Sequence, residues 1–396
     1  MRFVVMSLVQ HVQQALDALS QAGLLRSPLT ITGPIGPAII LEGKEVICLC
    51  SNNYLGFASH PLLVQAIKDG VDKEGAGAGS SRLVSGTLSV HRGAETHLAN
   101  YLGMGDALLF SSGFSANVGI VSALLTQDDV VFSDSFNHAS LIDGCRLNQA
   151  TVHVYAHRDT ADLERLLRLH RSKAREALVI SETVFSMDGD VAPVKDIRAL
   201  CDRYDAALMV DEAHALGVLG PEGRGICAAQ SVQPDLLVAT LGKSFGMSGA
   251  FVAAAPPIIR FLINRARSYI YSTAIPPYMA SAVIVATDWV RAADDARRNV
   301  LRHADRLRGA LRELGFSITD GESPIVPVLI RDPVLSMQLS TRLLERGVFV
   351  QGIRPPTVPQ GTSRLRIAPM ASHSDAQIEQ AIAAFAEVRH LSPAGG

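Results

Sequence analysis

Disulfide bonding, metal clustering and membrane insertion all lack raw material in this chain. Its 396 residues include five cysteines, Cys48, Cys50, Cys145, Cys201 and Cys227, odd in number and scattered. That count builds no disulfide framework and fits a reducing compartment. Cys48-Leu49-Cys50 lacks the spacing and partner ligands of a zinc site, so no metal is expected. The apolar stretch Met279–Thr287 stops at Asp288, well short of a bilayer span. Met1–Met6 offers one arginine and an apolar run too short for a signal-peptide core. Net charge is −2, so no field of one sign favours nucleic acid or an acidic membrane. A cytoplasmic protein with neither nucleic-acid nor membrane partner is the expectation.

What is present is an ordinary globular composition, 48% hydrophobic and 19% charged, able to bury a large core. The length suggests roughly two to three domains. Ser7–Gly23 spaces Leu8, Val12, Ala15, Leu16 and Leu19 as a helix, with Gly23 as its stop. A Pro/Gly-rich connector, 28–37, follows, then a strand candidate over Glu45–Cys50. From Pro61 to about Ala255 short apolar runs alternate with helical stretches. The strand candidates are 107–110, 130–133, 152–156, 177–181, 207–210, 236–240 and 250–254. Most lack strict alternation, as strands buried on both faces do, and the helical crossovers imply a mostly parallel sheet. Ligands of such sheets bind outside the carboxyl ends of the strands. Trp289–Leu314 reads as one long Arg-rich helical pattern with a solvated basic face. Segments 323–330, 341–346, 348–351 and 364–367 suggest a smaller α+β unit, and 393–396 should fray.

Residues 206–243 carry the chemistry. One apolar run ends in Asp211-Glu212-Ala213-His214, and the next ends in Gly242-Lys243-Ser244. DEAH and GKS are both ATPase-like strings. A P-loop, however, needs glycine five positions before Gly242, where Leu237 stands inside a strand, so the cradle of backbone N–H groups is missing. The acidic string also precedes the lysine, and the Gly-rich run Gly75–Gly86 contains no lysine. A bland alternative is two core strands with incidental polar ends.

Pyridoxal phosphate (PLP) chemistry fits better. It requires a lysine, an acid at the pyridine nitrogen, a phosphate anchor and a group packed on the ring. Lys243, flanked by Gly242 and Gly246, suits the first and Asp211 the second. His214 could reach the ring hydroxyl. Residues 111–117 follow a strand and open a helix whose free N–H groups would hold phosphate. His138 follows another strand and suits stacking, although a lone histidine there is more often an ordinary loop or core residue.

With these residues in view the chain resembles the α-oxoamine synthases, PLP enzymes of fold type I. The motifs are SNNYLG (51–56), SGFSANVG (112–119), NHASLIDGCR (137–146), ETVFSMDGDVAP (182–193), DEAHALGVLG (211–220), TLGKSFG (240–246), YSTAIPP (271–277) and IRPPTVPQGTSRLRI (353–367). The likeness runs from about Leu8 to Ala384. The last motif favours the oxononanoate branch over the glycine- and serine-using branches. The resemblance implies an α/β fold: residues 1–60 as helix and connector, 61–285 as a large PLP-binding domain with a mostly parallel sheet, and 286–396 as a small α+β domain.

It also implies roles. Lys243 would be the Schiff-base lysine and proton-transfer base, Asp211 the pyridinium partner, His214 the residue near the ring oxygen and His138 the stacking residue. Ser112, Gly113 and Phe114 would bind cofactor; the family often carries Tyr at the position of Phe114. Ser186 and Thr240 match further cofactor contacts, and Ser272 and Thr273 would reach the neighbouring subunit's phosphate. His138, Asn52, Thr357, Arg366 and Arg26 would meet substrate, Arg26 the acyl part and Arg366 the amino-acid carboxylate. Without the resemblance Arg366, in an alternating Arg-Leu-Arg-Ile, would read as an exposed strand residue. The implied reaction condenses L-alanine with pimeloyl-CoA or a pimeloyl-carrier protein to 8-amino-7-oxononanoate, in a homodimer with sites at the subunit interface. The alternatives are another α-oxoamine synthase using glycine or serine, an ATP-dependent motor, and a PLP-binding protein without catalysis.

Overall fold

The computed structural model describes residues 7–391; the apolar run Met1–Met6 and the expected fraying at 393–396 lie outside them. The strands in chain order are β1 Ile31–Thr32, β2 Ala38–Leu41 and β3 Lys44–Cys48, then β4 Asp106–Phe110, β5 Val130–Asp134, β6 Thr151–Tyr155, β7 Ala177–Glu182, β8 Ala207–Asp211, β9 Leu236–Thr240 and β10 Ala250–Ala254. The last four are β11 Val326–Arg331, β12 Val348–Phe349, β13 Gln351–Ile353 and β14 Ser363–Ile367.

The middle group forms one seven-stranded sheet in the order β4-β10-β9-β8-β7-β5-β6. Strand β10 runs antiparallel to both its neighbours, and every other pairing is parallel. All seven strand candidates of this region lie within a residue of the observed strands. Burial on both faces explains their uninterrupted apolar character. Leu208 and Val210 of β8 face one apolar cluster, and Met209 faces another on the opposite side. In β7, Val179 joins the first cluster while Leu178 and Ile180 join the second. The carboxyl ends of β5, β7, β8 and β9 therefore emerge along one edge, and β4, parallel to β9 by way of β10, ends there too.

The N-terminal strands are joined to the C-terminal part of the chain. Strand β3 pairs in parallel with β12, completing a sheet in the order β1-β2-β3-β12. Ile47 and Leu49 share an apolar cluster with Leu307, Val328, Leu343, Leu365, Ile367 and Phe385. This pairing carries residues 51–56, immediately after β3, to the central sheet's carboxyl edge. The helix Leu8–Gln21 forms as expected, with Ser7 accepting the N–H of Gln10 in a capping box and Gly23 at φ +66° just beyond. None of its residues is buried within this chain.

Two expectations for the Arg-rich segment are corrected. The pattern is two helices, Pro277–Ala292 and Asp294–Glu313, broken at Ala293. Asp294 and Asp295 occupy the first turn of the second, where negative charge is favoured. Its basic face is also not wholly solvated, since Arg297 and Arg308 are buried. Arg297 folds back onto the carbonyl oxygens of Val290 and Arg291, satisfying acceptors that the ending helix leaves free. Arg308 donates to Ser323 O at 3.0 Å and to Asp305 at 2.6 Å.

A buried ion cluster steadies β4. Glu95, fully buried, takes two hydrogen bonds from Arg82, at 2.8 and 3.1 Å, and one from Arg92 at 2.6 Å. It also accepts the N–H of Leu109 in β4 at 3.0 Å. Arg82 belongs to the Gly-rich run, which is thus a loop tied down by one carboxylate. Removing that carboxylate leaves a buried guanidinium unpaired, a change that costs about 3–5 kcal/mol. Glu95→Ala should therefore lower the urea unfolding midpoint by the equivalent of that loss; a midpoint within error of wild type would contradict this role.

Candidate active site

Five strand ends converge on one cavity of ≈ 200 Å³, lined among others by Gly113, Phe114, Asn117, His138, Glu182, Asp211, His214, Thr240 and Lys243. Asp211 closes β8 and is held from two sides before anything binds. Asn117 Nδ2 donates to Oδ2 at 2.7 Å, and the Ala213 N–H donates to Oδ1 at 2.9 Å. Asn117 sits on the helix Gly113–Leu124, whose neighbour Ala139–Leu147 approaches closely at Gly144. A Cβ there would stand 3.1 Å from Asn117 O and 2.9 Å from Val121 Cβ, so the glycine permits the contact. The same contact lets Asn117 Nδ2 reach Ser140 Oγ at 3.0 Å. Ser140 in turn bonds His138 Nδ1 at 2.8 Å, fixing the imidazole, which is open to the cavity.

Lys243 follows β9 in a turn that ends at Gly246. Gly246 has φ +68°, and a Cβ on it would lie 2.4 Å from Ala58 N, so close approach to the 57–58 segment requires glycine there. Gly242 carries no comparable constraint, its nearest contact being 3.4 Å away. Burial lowers the Lys243 ammonium to about 8, while the charges of Asp211 and Glu182 hold it up and Arg366 pushes it further down. A lysine so placed gives up its proton far more readily than one in water.

His214 links Lys243 to the rest of the fold. Its Nε2 lies 2.7 Å from Lys243 Nζ, and its Nδ1 lies 2.7 Å from Tyr54 Oη. Burial, then Lys243, Arg366 and His138, press the imidazole pKa well below its usual value, so the ring is neutral. Lys243 has only protons to offer as an ammonium, which makes Nε2 the acceptor and Nδ1–H the donor to Tyr54. Tyr54 then donates to Asn52 Oδ1 at 3.2 Å. Arg366 closes the chain, donating to Asn52 Oδ1 at 3.0 Å, to Tyr54 Oη at 3.2 Å and to Ser186 O at 2.6 Å. Arg366 is 5% exposed, so its surroundings are not those of an exposed strand residue.

The remaining sequence-predicted residues fall in three places. Ser112 caps the helix Gly113–Leu124, accepting the Ser115 N–H at 3.1 Å, and Gly113 and Phe114 form its first turn at the cavity rim. Thr240 donates to Gly249 O and accepts the Gly242 N–H, both at 3.1 Å, shaping the turn before Lys243. Arg26 and Thr357 meet at 3.3 Å beside a second chamber of ≈ 700 Å³, lined by Leu25, Leu29, Ile31, Leu344, Phe349 and Arg354 among others. Ser272 and Thr273 line neither space, and Thr273 bridges to Ser81. Sequence reasoning missed Tyr54, Asn117, Ser140 and Glu182. All four lie inside quoted motifs, and Asn117 falls one helical turn after Gly113, the signal that could have found it.

PLP is tested by these donors. The cavity offers an amine of lowered basicity, a pinned carboxylate, an open imidazole face and the free N–H groups of a helix start. Two of its buried atoms, Asn117 Oδ1 and Glu182 Oε1, have no partner within the protein. The residues fit the group. Among the described residues no cluster of three or more potential metal ligands occurs, and no helix is long and apolar enough to cross a membrane.

A salt-bridged histidine braces the wall of the site. His157 lies 2.9 Å from Asp134 and 2.8 Å from Asp190, at either end of its ring. Asp190 belongs to the loop that presents Ser186 O to Arg366 and Asp188 to Arg364. Burial alone would lower the imidazole, but bonds to Asp134 and Asp190 outweigh it and raise it to about 9 from 6.5. A raised folded-state value contributes stability that is full below the unfolded value and fades as pH climbs through the folded one. The unfolding midpoint should accordingly fall between pH 6.5 and 9 more steeply in wild type than in His157→Gln. Parallel profiles would remove the clamp from this account.

Comparison with known proteins agrees with the geometry. The family model for class I and II aminotransferases matches residues 44–385. An 8-amino-7-oxononanoate synthase of Geobacter sulfurreducens is 46% identical over 385 residues, 96% of this chain and 98% of that protein. A serine palmitoyltransferase from S. paucimobilis, solved with a bound PLP–myriocin aldimine, superposes with TM-score 0.92 at 31% identity, over 98% of this chain and 99% of that one. The 8-amino-7-oxononanoate synthase of Francisella tularensis gives TM-score 0.75 at 29% identity, over 87% and 98%. The two superpositions report a shared backbone, so their order does not rank substrates. The Geobacter likeness holds at 46% identity along nearly the whole chain. The cavity's chemistry and these likenesses agree: the chain belongs to the PLP-dependent class I and II aminotransferase family and, within it, to the 8-amino-7-oxononanoate synthases.

Proposed function

We propose that the protein condenses L-alanine with a pimeloyl thioester, releasing CO2 and the free thiol and giving 8-amino-7-oxononanoate for biotin synthesis. The observation that carries this reading is the placing of Lys243 and Asp211 in one cavity, in a chain 46% identical to a synthase of that product. Bound PLP supplies an electron-accepting ring that stabilises negative charge at the amino-acid Cα.

The protein's residues do the rest. Asp211, pinned as an acceptor, would hold a proton at the ring nitrogen and so keep the ring electron-poor. Lys243 would hold the cofactor through its amine, and as a free amine it takes the alanine Cα proton. The Cα electron pair then forms a bond to the thioester carbonyl carbon, and the C–S bond breaks to release the thiolate. The Cα–carboxylate bond next breaks, its electron pair staying on carbon while CO2 departs, and Lys243 returns a proton. His214 accepts from Lys243 and keeps the amine directed into the cavity. Arg366, with no carboxylate partner among the described residues, is an available cation for the alanine carboxylate. The chamber beside Arg26 and Thr357 has apolar walls for a methylene chain and a guanidinium for an acid end. Ser272 and Thr273, outside the cavity of their own chain, serve the neighbouring copy in a homodimer.

Purified protein should show the visible absorbance of bound PLP and release CO2 from alanine with pimeloyl-CoA or a pimeloyl-carrier protein, the product having the mass of 8-amino-7-oxononanoate. Lys243→Ala should lose both the absorbance and the turnover. A Lys243→Ala protein that kept both would overturn the lysine's role. Turnover with glycine or serine in place of alanine would overturn the substrate.

A further inference from the structure

Glu182 is a buried ionisable group that the reaction above leaves unused. It ends β7, in register with Asp211 at the end of β8. Alternation along each strand turns Leu178, Ile180 and Glu182 to one face of the sheet and Met209 and Asp211 to that same face. The two carboxyls therefore stand side by side in the cavity. Glu182 is 3% exposed. Their surroundings differ. Both oxygens of Asp211 take hydrogen bonds, from Asn117 and Ala213, whereas Glu182 Oε1 has no partner. Lys243 is the cation facing them both, and His214 and His138 are pressed toward their neutral forms by burial. Two adjacent buried carboxylates do not both ionise beside one cation. Glu182 keeps its proton because burial and the neighbouring Asp211 charge outweigh Lys243 and the N–H groups of His138 and Ser186, which favour its ionised form.

We propose that Glu182 is a second acid of this site, a carboxyl that stays protonated at neutral pH and donates a hydrogen bond to the group bound in the cavity. The proposal rests on the PLP reading of that cavity. Its chemistry is that of a neutral donor: it fixes the bound ring beside Asp211 without adding a third charge to the site. Burial raises the Glu182 carboxyl to about 8; the Asp211 charge adds to this and Lys243 opposes it. The proton is thus held through neutrality and released as pH rises beyond that value.

Infrared difference spectra of the PLP-loaded protein, wild type minus E182Q, test the protonation. The expected result is the carbonyl stretch of a protonated carboxyl at pH 7, fading as pH rises through about 8. A carboxylate signal at pH 7 overturns the proposal. Equilibrium binding of PLP tests the donation. E182M keeps the side chain's length without a donor and should weaken PLP binding by about fivefold to tenfold, the worth of one hydrogen bond. E182Q retains an N–H donor and should lose less than about threefold. Equal binding by wild type and E182M overturns the donor role. Failure of the PLP reading would announce itself separately, as wild type without the cofactor's visible absorbance.

Discussion

Two hydrogen bonds to one carboxylate set the terms for the rest of the site. Asn117 and the Ala213 N–H hold Asp211 in place as an acceptor, so its charge is oriented before any ligand arrives. Preorganised charge acts strongly because no reorganisation is needed when chemistry begins. Everything near Asp211 adjusts to it. Lys243 is stabilised as a cation by it yet remains a weakened one, His138 is drawn upward by it against the effect of burial, and Glu182 is pushed toward its neutral form. Asn117 also bonds Ser140 on the neighbouring helix, whose close approach Gly144 permits. A backbone permission in one helix thereby reaches a residue that holds Asp211.

A second thread runs from Lys243 through His214 and Tyr54 to Asn52 and Arg366. It joins the stretch around Lys243 to three others. Asn52 and Tyr54 follow β3, which is placed by its pairing with β12. Arg366 lies on β14, and His214 lies just past β8 on the central sheet. Docking the terminal parts of the chain is therefore coupled to the orientation of the lysine. The same arginine hangs on Ser186 O, in the loop braced by His157, so the wall of the cavity and its floor share one connection.

Much of this was readable in the sequence, and the physical reason is burial. Strands covered on both faces write themselves as unbroken apolar runs, so the central sheet and its parallel character were legible from 107 to 254. The chemistry at their ends was legible because Lys243 and Asp211 are costly residues to place there without purpose. Tyr54, Asn117, Ser140 and Glu182 were not found, since each works through a partner distant in sequence: Asn117 and Asp211 are 94 residues apart. Without the resemblance Arg366 reads as a surface residue, because alternation shows a two-sided strand but not what covers its second side. Arg297 and Arg308 misled for a similar reason. A charged helix position signals solvent unless a free carbonyl or a carboxylate awaits it inside, and helix ends supply carbonyls that no periodicity displays. The break at Ala293 was likewise hidden, because helical spacing continues across it.

The central claim is that Asp211 makes the bound ring an electron sink rather than merely holding it. Exchange of the alanine Cα proton with solvent deuterium, followed by NMR in PLP-loaded Asp211→Asn, tests this most directly. Asparagine keeps the shape and loses the charge. The account predicts that the variant still binds PLP while exchange falls by about a hundredfold or more, as expected for loss of a preorganised charge at the reacting system. Exchange near the wild-type rate in that variant would contradict it.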